Sequence, residues 1–156
     1  MNDVTVESAR EVVGESLDDL LAVLDGLSVT QLNRRPAGEQ TNPIAILVAH
    51  ALASTRSWLS LATGKDLPPR DRPAEFLTVA RDADDFRRWA AAEADTCRAT
   101  LARVVDYDPA RERPAPWRSD DPDTPVTAAW AMSHAIAHLG EHVGHAQLTA
   151  DVVRAS

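Results

Sequence analysis

Apolar side chains recur every three or four residues in four separate stretches, and nowhere do they alternate over a run long enough for a strand. A period near 3.6 predicts helices with one apolar face, and such helices bury that face only by packing on one another. The first stretch, Val6 to Asp25, aligns Val12, Val13, Leu17, Leu20, Leu21 and Leu24, with Gly26 as its stop. Ser28-Val29-Thr30-Gln31 has capping-box spacing and predicts a single turn. The second helix is expected to be capped by Asn42, to carry Pro43 in its first position and to stop at Gly64. Its first half is apolar nearly all round, which marks it as central. After the Pro-rich link DLPPRDRP and a short turn near Ala74–Val79, a third helix is expected over Asp82 to Val105. It turns Phe86, Trp89, Ala90, Ala94, Cys97, Leu101 and Val104 inward, with Glu93 at the stripe's edge. The fourth is expected to begin at Thr124-Pro125 and run to Arg154. The reading is an all-α four-helix bundle, one domain over residues 1–156.

Residues 106–125 carry five prolines and read as a long irregular loop, with Trp117 as a candidate lid. Trp58, Trp89 and Trp130 are expected in the core. The net charge of −8 argues against nucleic acid, which needs a basic face to displace counterions from phosphates. The polar, acidic start MNDVTVESAREVVG lacks the basic flank and apolar stretch of a signal peptide. No uninterrupted apolar run reaches the roughly 18 residues of a membrane span, so a cytoplasmic protein is expected. The single cysteine, Cys97, forms no internal disulfide and reads as a small buried hydrophobe.

Four of the five histidines fall within SHAIAHLGEHVGH, residues 133–145. At about 100° per residue, with His134 at zero, His138 falls near 40°, His142 near 80°, His145 near 20° and Glu141 near −20°. All five therefore occupy about a third of one helix surface. Met132, Ile136, Leu139 and Val143 occupy the opposite side, so the helix is expected to pack on both faces, one of them against a second subunit. Histidines at i and i+4 are about 6 Å apart along the axis and reach a common metal ion. His134 and His142, about 12 Å apart, do not. One ion therefore takes 134/138 or 138/142, and spacing does not choose between them. The remaining histidine, His50, lies in the apolar second helix. Alone it reads as a hydrogen-bonded core residue; facing a row of histidines it becomes a third ligand. Gly140 and Gly144 each cost up to about 1 kcal/mol relative to alanine inside a helix, which suggests close approach of a neighbouring helix.

Residues 25–59, DGLSVTQLNRRPAGEQTNPIAILVAHALASTRSWL, and residues 127–153, with His138, His142 and Gly144-His145, resemble the DinB-like superfamily of four-helix bundles. That superfamily includes mycothiol- and bacillithiol-dependent enzymes. The resemblance implies His50, His138 and His142 as metal ligands, with His134 and His145 lining the site. The middle ligand is acidic in some members and is a histidine here. All-histidine ligation suits zinc best, with nickel, copper, iron or manganese as alternatives. Three protein ligands leave open positions, where a thiol would lose its proton. The expected activity is a thiol S-transferase joining a low-molecular-weight thiol, such as mycothiol, to a small electrophile. Glu141 or His145 would accept the proton. A thiol-dependent isomerase, a metal-dependent hydrolase and a non-catalytic metal-sequestering bundle are the alternatives. A homodimer is also implied by the resemblance.

Overall fold

Four long helices carry the structure, a computed structural model that describes residues 4–118 and 121–155. They are α1 (Val4–Ala22), α3 (Ile44–Thr63), α5 (Ala83–Ala102) and α6 (Ala128–Arg154). Two short helices, α2 (Val29–Asn33) and α4 (Arg72–Glu75), lie between them. The protein is thus predominantly helical, as expected. α3 packs most extensively on α6 and next on α5, and α1 packs on those same two helices. One hydrophobic cluster runs from Ala9 to Val153 and draws on all four. Leu47, Leu52, Leu59 and Leu61 of α3 are almost fully buried within it. Burial of each such side chain is worth roughly 1.5–3 kcal/mol, so α3 is the spine on which the other helices assemble. α3 is long and apolar enough by composition to cross a membrane, but most of its surface is covered by the rest of the protein.

Helix ends follow local chemistry. The capping box at α2 forms in both directions: Ser28 Oγ accepts from the Gln31 amide, and Gln31 Oε1 accepts from the Ser28 amide. Gly64 ends α3 in the left-handed region, at φ +74°. Orphan carbonyls past the end of α1 are satisfied by arginines from distant helices. Arg87 donates to Leu24 and Leu27, and Arg154 donates to Val23 and Asp25. The only lysine, Lys65, does the same for Ala99 and Thr100 near the end of α5.

Several expectations are corrected. Asn42 does not cap α3; the cap position is Pro43, whose carbonyl accepts from Ile46 and Leu47. The last helix starts three residues later than Thr124 suggested. Thr127 is its cap, with its hydroxyl accepting from the Trp130 amide at 3.2 Å. Residues before it form an antiparallel ladder within the supposed irregular loop. β1 (Glu112–Pro114) pairs with β2 (Pro125–Thr127), with Arg113 opposite Val126. α5 ends at Ala102, short of Val105. Trp58 is buried as expected, but Trp89 and Trp130 are 40% and 45% exposed. Neither Gly140 nor Gly144 has a neighbour within 4 Å of where a Cβ would stand, so no helix of this chain approaches them. Replacing either by alanine should therefore stabilise the protein by up to about 1 kcal/mol, measured by chemical denaturation. Destabilisation, or loss of an oligomer, would mean that another chain covers this strip of α6.

Candidate metal centre

α3 places His50 in the middle of the protein, and α6 presents His138 and His142 one turn apart on the face that meets it. The three rings pack around a common point. Centroid distances are 5.2 Å from His50 to His138, 4.9 Å from His50 to His142 and 4.5 Å from His138 to His142. One nitrogen from each ring lies within 4.8 Å of the others, a grouping able to hold a divalent metal ion. Two nitrogens bound to one ion stand about 4 Å apart or less, so the rings need close by only about an ångström.

The chemistry of the three rings fits a cation. His138 Nδ1 and His142 Nδ1 are buried and have no hydrogen-bond partner. A polar atom withdrawn from water without a bond costs about 1–3 kcal/mol. A metal ion at this point compensates by coordinating the imidazoles. Burial, reinforced by the neighbouring histidines, pushes the His138 imidazole down to about 3 and that of His142 to about 4. Both are therefore neutral at pH 7, with lone pairs available for coordination.

His50 is held differently, by a residue sequence reasoning missed. Its Nδ1 is 2.7 Å from Oε2 of Glu75, a carboxylate only 8% exposed. Arg70 grips the other side of that carboxylate, Nε to Oε1 at 2.7 Å and Nη2 to Oε2 at 3.1 Å. Burial alone would raise the Glu75 carboxyl, but the bonds from His50 and Arg70 outweigh it and hold the pKa below the usual range. An ionised Glu75 accepts a proton bond, so His50 carries its hydrogen on Nδ1 and leaves Nε2 as the donor to a metal. Glu75 reaches this position because Asp71 caps the single turn of α4, with its side chain accepting from Ala74. The Asp71-x-Pro73-x-Glu75 pattern inside the Pro-rich link was the available signal for that turn.

The other sequence candidates separate. His134 is half-buried, stacked on Trp130 at 4.8 Å and edge-on to Trp58 at 4.6 Å. It lines a cavity of about 350 Å³ that His50 and His138 also line. Trp117 lines it too, packed on Trp58 at 5.2 Å, which places the supposed lid residue in the cavity wall. Glu141 and His145 are exposed and line none of it. Cys97 is fully buried, and burial, together with the charge of Glu93, pushes its thiol up to about 12, so it is not a nucleophile. Glu93 is half-buried, pairs with Arg56 at 3.7 Å and is not one of the three clustered ligand candidates.

The fold and the histidine cluster together define a helical protein with a candidate metal centre between two of its long helices. The chain belongs to the DinB superfamily, whose model matches residues 14–146. That superfamily includes metal-dependent enzymes. A conserved protein from Enterococcus faecalis, known from its crystal structure, has the same fold with a TM-score of 0.75 at 17% identity, and the match covers 100% of both chains. Among curated proteins, none matches this chain.

Two predictions follow from the geometry. Glu75→Gln should weaken metal binding about 10- to 100-fold, because the carboxylate no longer orients His50, and competition with a chelating dye measures this. The second concerns acid. Below pH 6.5 the unfolded chain protonates its histidines, while folded His138 and His142 resist to about 3 and about 4. The metal-free protein should therefore lose stability as pH falls from 6.5 toward 4. The double variant His138→Gln, His142→Gln should lose less over that interval in thermal melts. Equal losses in both proteins would mean that these imidazoles are not desolvated.

Proposed function

We propose that this protein is a DinB-like four-helix bundle enzyme, a metal-dependent thiol S-transferase acting on a small electrophile. The observation that carries the reading is the three-histidine cluster, with two of its members lining a cavity of about 350 Å³, large enough for a small molecule. His50, His138 and His142 would hold the ion, zinc by preference, with nickel, iron or manganese as alternatives. When bound, the metal supplies Lewis acidity that lowers the pKa of a coordinated thiol. The chain's own residues do the rest. Glu75 and Arg70 fix the tautomer and orientation of His50. Trp58, Trp117 and Trp130 wall the cavity and limit water. Three neutral ligands leave the ion its full charge, which favours an anionic sulfur in the open position. Glu141 and His145 are the proposed proton acceptors. Both are exposed, so a proton passed to either reaches water directly.

Mycothiol or a similar low-molecular-weight thiol is the proposed co-substrate. A cytoplasmic homodimer with no nucleic-acid or membrane partner belongs to the same reading. The net charge of −8 and the covered surface of α3 support the last two points.

Elemental analysis of the tag-free protein beside His50→Ala and His142→Ala tests the centre. About one equivalent of metal in the wild type, lost in both variants, is expected for a single three-ligand site. Transfer assays with the metal-loaded protein should then show thiol-dependent turnover. Glu141→Gln and His145→Gln should lower turnover without lowering metal content. Stoichiometric metal with no turnover for any thiol would leave a metal-sequestering protein. No metal uptake at all would remove the centre.

A further inference from the structure

Three kinds of wall enclose the cavity beside the histidine cluster. The first is charged but committed. Arg70, Arg72 and Arg118 line the space, and each is engaged within the chain. Glu75 holds Arg70. Arg72 lies 5.4 Å over the Phe76 ring. Arg118 lies 5.9 Å over the Trp130 ring, has a further interaction of its own and acts on Asp121. No aspartate or glutamate lines the cavity among the described residues. A charged ligand therefore finds no uncommitted partner of opposite sign.

The second wall is flat rings. Trp58 meets Trp117 at 87° and Trp130 at 65°, with centroids 5.2 Å and 5.4 Å away. Rings set at such angles form a corner, and a corner of aromatic edges and faces suits another flat ring in edge-to-face contact. An apolar cavity of about 150 Å³ holds a benzene. This one is about 350 Å³, room for a ring with a polar substituent.

The third wall is a pair of donors without acceptors. Ser54 stands one turn after His50 on α3, lines the cavity and is 2% exposed. On the same helix Ser57 and Thr63 donate to the carbonyls four residues back, at 2.9 Å and 2.8 Å. The Ser54 hydroxyl makes no such bond, nor any other among the described residues. Trp117 also lines the cavity, and its indole N–H is buried without an acceptor. An indole N–H can only donate, so what this wall lacks is an acceptor such as a carbonyl oxygen.

We propose that the cavity binds an uncharged aromatic carbonyl compound, its ring against Trp58, Trp117 and Trp130 and its oxygen accepting from the Ser54 hydroxyl. This deepens the proposed function and rests on that reading only for calling the occupant the electrophile. Binding itself needs no ion, so the two ideas fail separately.

The experiment is a ligand-observed NMR titration of chelator-treated full-length protein with four probes. Acetophenone has the ring and the carbonyl. Ethylbenzene keeps the ring and loses the acceptor, cyclohexyl methyl ketone keeps the acceptor and loses the flat ring, and benzoate adds a charge. Acetophenone should bind one-to-one, and each of the others about tenfold more weakly. Ser54→Ala should weaken acetophenone about tenfold and leave ethylbenzene unchanged. Trp130→Leu, at a side chain 45% exposed, should weaken both aromatic probes and spare cyclohexyl methyl ketone. Equal affinity for acetophenone and ethylbenzene would overturn the proposal, as would a Ser54→Ala protein that binds acetophenone like the wild type. Tighter binding of benzoate than of acetophenone would overturn it too, as would acetophenone binding seen only after metal is added. Selective acetophenone binding in a protein that takes up no metal would uphold the site and discard the proposed function; metal uptake without acetophenone binding would do the reverse.

Discussion

Glu75 accepts from His50 on one side and from Arg70 on the other, and the central site depends on that arrangement. A carboxylate this deeply buried is costly unless its charge is matched, and the Arg70 fork supplies the match. Removing either partner leaves the other charged and unpaired in a desolvated place, a penalty of about 3–5 kcal/mol in comparable pairs. The pair also ties the single turn of α4 to the middle of α3, an attachment the apolar core does not provide. His50 is thus both readings that its sequence context offered: a hydrogen-bonded core histidine through Nδ1, and an available donor through Nε2.

α3 explains why the cluster can exist at all. Its burial on nearly every side brings α5 and α6 against it and leaves no solvent to satisfy a polar side chain in its middle. His50 therefore finds its hydrogen bond in protein, at Glu75 of α4, with the α6 histidine rings packed against it. The same packing withdraws His138 and His142 from water, which suppresses their protonation and leaves Nδ1 of each without a partner. Two neutral imidazoles with unmet bonding capacity beside an oriented third are a poor arrangement for stability alone. They are a coherent one for holding a cation.

Much of this was legible in the sequence because it is local. The 3.6-residue period located the four long helices, and the i, i+4 spacing of His138 and His142 put them on one face. What was missed is non-local. Thr124-Pro125 has the form of a helix start, but residues 125–127 gain ladder bonds from 112–114, and Thr127 is left to cap the helix instead. Strands of three residues with proline at an end show no alternation to detect. Glu75 is one of many acidic residues and sits in a proline-rich link; only the fold brings it to His50. The glycines on α6 misled because a helix glycine invites a packing explanation, and here the space beside it is open. The angular count placed Glu141 and His145 with the other histidines, but angle ignores position along the axis: His145, near 20°, falls inside the arc of the half-buried histidines and is exposed all the same.

The distribution of charge gives the site its direction. Acidic side chains dominate the molecule as a whole and repel small anions at long range, though within about 10 Å at ordinary ionic strength. Among the described residues the cavity is lined by arginines and by no carboxylate, while the buried Glu75 beside the cluster is matched by Arg70 and His50. A divalent metal held by the three neutral imidazoles would add positive charge beside the same space. The tryptophan walls and the histidine cluster are thus separate features of one cavity, joined through His50 and His138, which belong to both.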